Sequence, residues 1–136
     1  MKFLLDTNVV SETRRKAPDA KVLAWFRRVD PSAIHLSVLT LGEIARGAEN
    51  LARRDAIAGR AIREWLDGLL LLYADRVIAI DGEIAETWGR LSAARPLPVI
   101  DGLLAATASA RGMTLVTRNR RDFSGTGVAV VDPWNA

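Results

Sequence analysis

The spacing of apolar positions changes repeatedly along the chain, and each change marks the edge of an element. "KFLLD", Lys2 to Asp6, is a short apolar run ending at an acid and reads as a buried strand. "VVSETR" after it reads as a first helical turn, with Arg14, Arg15 and Lys16 at its end. In "DAKVLAWFRRV" the residues Val22, Trp25, Phe26 and Val29 recur at helical spacing until Asp30 and Pro31 stop the pattern. "AIHLSV" is a second strand. A helix then runs from Ser37 or Thr40 through "LGEIARGAENLA", and another occupies "RRDAIAGRAIREWLDGLLLLY". In the latter, Ile62, Trp65, Leu66, Leu69, Leu70 and Tyr73 form one stripe, suited to a core or to a dimer surface. "VIAI" is a third strand. Asp81, read as an N-cap, opens a helix on Ile84, Trp88 and Leu91 that Pro96 and Pro98 close. The run "LPVIDGLLAATASARG" is the last helix, with Gly112 as its C′ residue, and "TLVT" and "VAVV" are the last strands.

Strands that alternate with helices require right-handed crossovers and a sheet covered on both faces. The expected fold is therefore a three-layer α/β/α sandwich with a mostly parallel central sheet. A chain of 136 residues with 49% hydrophobic content suits a single domain over residues 1–136, and no repeat or linker divides it.

Composition narrows the chemistry. With no cysteine there is no disulfide, thiolate zinc site or cysteine nucleophile, which fits a reducing compartment and the cytoplasm. The apolar run at the N-terminus and "GLLLLY" are both too short to span a membrane, so no membrane association is expected. A net charge of +3 and an isoelectric point near 9.9 permit a polyanionic partner without requiring one.

In an open parallel sheet the functional crevice lies beyond the carboxyl ends of the strands. Four acids fall there: Asp6 at the end of the first strand, Glu43 after the second, Asp101 at the head of a helix, and Asp122 in the loop after "TLVT". Each has a local explanation. Asp6 in "DTN" suits an Asx-turn, "TLGE" suits a capping box in which Glu43 reaches back to Thr40, Asp101 suits a helix N-cap, and Asp122 could pair with Arg120 or Arg121. Those explanations give no reason for four acids to collect at one edge. Clustered carboxylates repel unless a cation neutralises them, and no Lys or Arg lies in the apolar runs flanking Asp6, Glu43 or Asp101. Oxygen donors without cysteine favour Mg²⁺ or Mn²⁺ over Zn²⁺, and His35 alternates within a strand as a structural imidazole. Such an ion suits phosphodiester hydrolysis. Asn8, Thr117 and Asn119 are polar groups at the same strand ends that can orient a carboxylate, a water or a phosphate.

On "LLDTNVVSE", "SVLTLGEIARGAE" and "PVIDGLLAATASARGMTLVTRNRRDF" the chain resembles, end to end, the PIN-domain family, in particular bacterial toxins of the VapC and FitB type. The resemblance implies a metal-dependent endoribonuclease, the toxin of a type II toxin–antitoxin pair, with Asp6, Glu43, Asp101 and Asp122 around one or two Mg²⁺ or Mn²⁺ ions. It implies a homodimer and a larger assembly with a cognate antitoxin, which can place a basic side chain in the acidic pocket and through which alone DNA would be met. It implies a structured RNA substrate such as transfer RNA. Thr7 joins Asn119 as a supporting residue. Arg14, Arg15, Lys16, Arg118, Arg120 and Arg121 are candidates to hold the RNA backbone, and Glu12 and Glu86 are candidates for the pocket rim.

Two other readings compete. A phosphoryl-transfer domain with Asp6 as nucleophile would want a second acid beside it or a lysine after a later strand, and "DTNVV" and "TLVTRN" supply neither. A catalytically silent binding module acting only within an antitoxin–DNA repressor complex would keep the fold but not need four intact acids.

Overall fold

Leu4 and Leu5, neighbours in one strand, are both almost wholly buried, yet they belong to two different clusters of core residues. Leu115 and Val116 divide in the same way. Successive side chains of a strand point to opposite faces, so these strands are covered on both sides. The computed structural model describes residues 1–136. Its strands are β1 (Phe3–Leu5), β2 (Ile34–Ser37), β3 (Val77–Ile78), β4 (Thr114–Val116) and β5 (Val130–Val131). They form one sheet in the order β3-β2-β1-β4-β5, every pair parallel.

The helices are α1 (Thr7–Glu12), α2 (Ala20–Arg28), α3 (Val38–Ala52), α4 (Ala56–Leu72), α5 (Gly82–Ala94) and α6 (Val99–Arg111). Single 3-10 turns occupy Pro31–Ala33 and Arg120–Phe123. One face of the sheet carries α1 to α4, whose Val9, Val22, Trp25, Ile44, Leu66 and Leu69 pack on Leu5, Leu36 and Val116. The other carries α6, whose Leu104, Ala105 and Ala108 pack on Leu4 and Leu115, with α5 against it through Leu91. The layers and the parallel sheet are those the alternating pattern predicts.

The helix ends follow local chemistry. Asp81 accepts the Ile84 N–H at 2.9 Å and caps α5, as predicted. Gly112, at φ 63, takes the left-handed conformation that closes α6. The α4 stripe is core: Leu66 and Leu69 are buried, Ile62, Trp65 and Tyr73 pack on them, and only Leu70 reaches the surface. The other exposed large apolar residues of α4, Ile57, Leu71 and Leu72, lie outside that stripe. The edge strands are shorter than "VIAI" and "VAVV", because pairing to β2 and β4 extends over only two residue pairs in each.

Candidate active site

The strand order places β2 on one side of β1 and β4 on the other, so the direction of the chain's progress across the sheet reverses at β1. That is where an open parallel sheet leaves a crevice beyond its carboxyl ends. Asp6 is the first residue after β1 and Thr117 the first after β4, and both are buried. The Asp6 N–H continues the ladder to the Val116 carbonyl at 2.8 Å. Its two carboxylate oxygens are then fixed separately: Oδ1 accepts the Thr7 N–H at 2.7 Å and Oδ2 accepts the Thr117 hydroxyl at 2.7 Å. The Asx-turn expected of Asp6 would take the Asn8 N–H and does not form; Asp6 stands at the N-cap of α1 and its side chain meets the adjacent Thr7 N–H instead.

Thr7 carries the site to α3. Its hydroxyl donates to Glu43 Oε1 at 2.5 Å and lies 3.4 Å from the Thr40 hydroxyl. The Thr40–Glu43 capping box does not form. Ser37 caps α3 instead, its Oγ accepting the Leu39 N–H at 3.0 Å. Thr40 therefore lies inside the helix, and Glu43 is free to face α1.

Asp101 is likewise not a helix cap. Pro98 occupies the N-cap position without a side-chain bond, and its carbonyl accepts the Gly102 N–H at 2.9 Å. Proline has its φ set by its ring and offers no donor, so the helix starts before Asp101 is reached. The Asp101 carboxylate is left in the first turn, half-buried and with no hydrogen-bond partner from the protein. Asp122 lies in the 3-10 turn, exposed, and pairs with neither Arg120 nor Arg121. The turn is instead held by Arg95, whose guanidinium donates to the carbonyls of Asp122 at 3.2 Å, Ser124 at 3.1 Å and Pro96 at 2.9 Å. Sequence reading missed Arg95, because it stands far along the chain from the Asp122 and Ser124 carbonyls, in a segment with no periodic signal.

The four acids share one electrostatic field. Burial pushes the Asp6 carboxyl above its ordinary range, against the lowering effect of its two hydrogen bonds, and Glu43 and Asp122 raise it further. Burial also raises Asp101, followed by the charges of Asp6, Asp122 and Glu43. The five ion pairs of the protein all lie elsewhere. Asn8, two residues from Asp6, has a buried Oδ1 with no partner. All of these donors are oxygens and none of the four acids is in an ion pair, although arginines border Glu43 and Asp122 across open space; such a donor set fits a hard divalent ion. No three acidic or imidazole groups converge closely enough to hold an ion between them.

The remaining candidates divide. The Asn119 N–H donates to Thr117 Oγ at 3.1 Å, so it steadies the hydroxyl that holds Asp6. Arg118 stands over the Trp134 ring at 4.8 Å, and Arg118, Arg120 and Arg121 line an open concavity with Asp122. Arg14 and Arg15 border a second cavity with Thr7 and Glu43, while Lys16 is exposed. Glu12 is not a rim residue. It is buried, accepting the Asp19 N–H at 2.9 Å and an Arg15 N–H at 3.3 Å, and so ties down the α1–α2 loop. Glu86 is exposed on α5 and lines neither cavity. His35 Nδ1 lies 3.0 Å from the Ala33 carbonyl, a structural contact.

Comparison with known proteins converges on one group. The PIN domain family model matches residues 3–128. Toxin FitB of Neisseria gonorrhoeae is 30% identical, over 98% of this chain and 99% of its own. VapC ribonuclease Y4jK of Sinorhizobium fredii is 33% identical over 97% of each chain. The tRNA(fMet)-specific endonuclease VapC of Shigella flexneri is 28% identical over 99% of each. Among solved structures, FitAcB from Neisseria gonorrhoeae superposes with a TM-score of 0.91 at 30% identity, covering 98% of this chain and 99% of that one. A toxin–antitoxin complex from Klebsiella pneumoniae gives 0.72 at 25% identity, covering 97% and 98%.

Proposed function

This chain belongs to the PIN domain family, and from that premise we propose that it is a metal-dependent endoribonuclease and the toxin of a toxin–antitoxin pair. The observation that carries the proposal is the set of four uncompensated acids at the reversal point of the sheet, two of them with raised proton affinity. Relatives named as ribonucleases and endonucleases agree with it. Asp6, Glu43 and Asp101, with Asp122 directly or through water, would hold Mg²⁺ or Mn²⁺. When bound, the ion supplies Lewis acidity to a phosphate oxygen and makes the attacking water more acidic.

The protein's own groups supply the rest. Thr117 and the Thr7 N–H keep both oxygens of Asp6 in place, and the Thr7 hydroxyl does the same for Glu43 Oε1. Asp101 has no competing hydrogen bond from the protein, so its carboxylate is free to turn toward the ion, and a carboxylate that the ion does not saturate would take the proton of the attacking water. Arg118, Arg120 and Arg121, beside Asp122, would grip the RNA backbone, and binding should then weaken with added salt.

An antitoxin would switch the site off by bringing a cation to these acids. A second copy of the chain completes the proposed assembly, and the absence of cysteine suits the cytoplasm. No helix is long and apolar enough to cross a membrane. The silent binding module is the weaker reading, because it leaves raised, mutually repelling carboxylates without a purpose. Purified protein, free of antitoxin, should cut RNA in Mn²⁺ or Mg²⁺ and stop in excess chelator. Undiminished cutting in chelator would refute the metal mechanism.

A further inference from the structure

Helices α1, α3 and α4, with Arg14 and Arg15 just after α1, line a half-open cavity of about 290 Å³ that the mechanism above leaves without a role. It opens beside Thr7 and Glu43, so its occupant lies next to the hydroxyl–carboxylate pair of the site. Ile44, Ile62 and Trp65 form its apolar walls, and Arg14 and Arg15 bring positive charge to its mouth. Arg14 already stands 5.9 Å from the centroid of the Trp65 ring. The cavity also borders Gly47 in the interior of α3, where an added Cβ would meet no atom within 4 Å. Glycine is a poor residue for a helix interior, and here its missing side chain leaves the cavity open.

A flat apolar wall with a cation at its edge, continuous with a phosphodiester-cutting site, matches an unpaired nucleobase carried on its phosphate. Proteins that bind single strands combine aromatic stacking surfaces with cationic backbone contacts in the same way. We propose that this cavity receives the unpaired base of a nucleotide adjacent to the scissile phosphate, with Trp65 as its stacking surface. Arg14, exposed at the rim, covers the ring when no RNA is bound and turns to the phosphate when the base enters. A base held in a duplex cannot present its face to Trp65, so cleavage falls in unpaired segments. The inference rests on the ribonuclease reading.

The test uses a hairpin RNA whose cut in its single-stranded loop has first been mapped. It is then made as a series in which each loop nucleotide in turn lacks its base. With the wild-type chain, removing the base beside the cut should lower kcat/KM roughly tenfold, the scale of one stacked base. Trp65→Ala should show a similar loss on the intact RNA, mainly through KM, and the two losses should not multiply. Gly47→Leu, which fills the cavity from open space, should lose as much while melting no lower than wild type. The proposal is overturned if no base beside the cut matters. It is also overturned if Trp65→Ala and Gly47→Leu cut as wild type, which would leave the cavity to a side chain of a protein partner. If Asp101→Asn cuts as wild type, it is the ribonuclease reading that fails.

Discussion

Asp81 and Asp101 stand at the beginnings of the neighbouring helices α5 and α6, and their surroundings are opposite. The Ile84 N–H holds the Asp81 carboxyl below its ordinary range, and Arg111 lowers it further while also reaching Glu83 at 3.2 Å. Asp101 accepts no backbone N–H, has no cation, and is pushed up by burial and three neighbouring acids. The same residue type thus ties a helix end in one place and is stored against its own charge in the other. A group left unsatisfied in this manner costs stability in the free protein, and it marks a place where a ligand contributes what the fold withholds.

The sharpest break between the two concerns activity. Asp101→Asn should lower RNA cleavage by on the order of 100-fold or more, since it removes a charged ligand from the proposed ion. Asp81→Asn, with its side chain at the other helix, should cut at close to the wild-type rate. Equal toxicity of Asp101→Asn and wild type in a growth assay would dissolve the distinction.

Melting in chelator should then reverse the order of harm. Asp101→Asn should melt a few degrees above wild type, since it removes a repelled carboxylate, whereas Asp81→Asn should melt below it. Adding Mn²⁺ should raise the wild-type melting temperature more than that of Asp101→Asn, by mass action on the folded state.

The pH dependence separates them further. Asp6 and Asp101 bind protons more tightly in the folded chain than at the ordinary value of 3.8, so they favour folding below that value. That contribution is lost as pH rises through their raised folded values. Asp81 has the opposite sign: its contribution is present above 3.8 and is lost as pH falls through its lowered folded value. In chelator, the advantage of Asp101→Asn should therefore grow from acid toward neutral pH. The penalty of Asp81→Asn should shrink on acidification.

The smallest expected effect tests how Asp122 is held. Arg95→Ala removes two hydrogen bonds to carbonyls of the 3-10 turn and its exit, Asp122 and Ser124, and a third to the neighbouring Pro96 carbonyl. Hydrogen exchange should quicken over residues 120–126, with cleavage falling several-fold and the melting temperature changing little.

The positions of the acids were readable because each follows the end of a local pattern. Asp6 closes an apolar run, Glu43 stands in the second turn and Asp101 in the first turn of periodic helices, and Asp122 follows "TLVT". Their individual bonds were not readable. The capping box at Thr40 and the cap at Asp101 both fit local rules, and both lost to a competing start signal nearby, Ser37 in one case and Pro98 in the other. Glu12 looked like another acid near the site and is a buried anchor for a loop, a difference that depends on where Arg15 and Asp19 fold back to meet it.

Periodicity and punctuation are properties of neighbouring residues, so the sequence by itself determined the helices, the strands, the parallel layered fold and the edge at which the acids collect. The tertiary structure alone decided what each acid feels. The Thr117–Asp6 bond joins two strand ends that only the insertion of β4 beside β1 makes adjacent. The Thr7–Glu43 bond needs α1 and α3 to lie against each other. Burial, which leads the shift of both Asp6 and Asp101, is a sum over atoms from every layer. Short-range preference sets conformation, but a carboxylate's charge state depends on solvent and neighbours through space, and those are assigned only when the chain has closed around it.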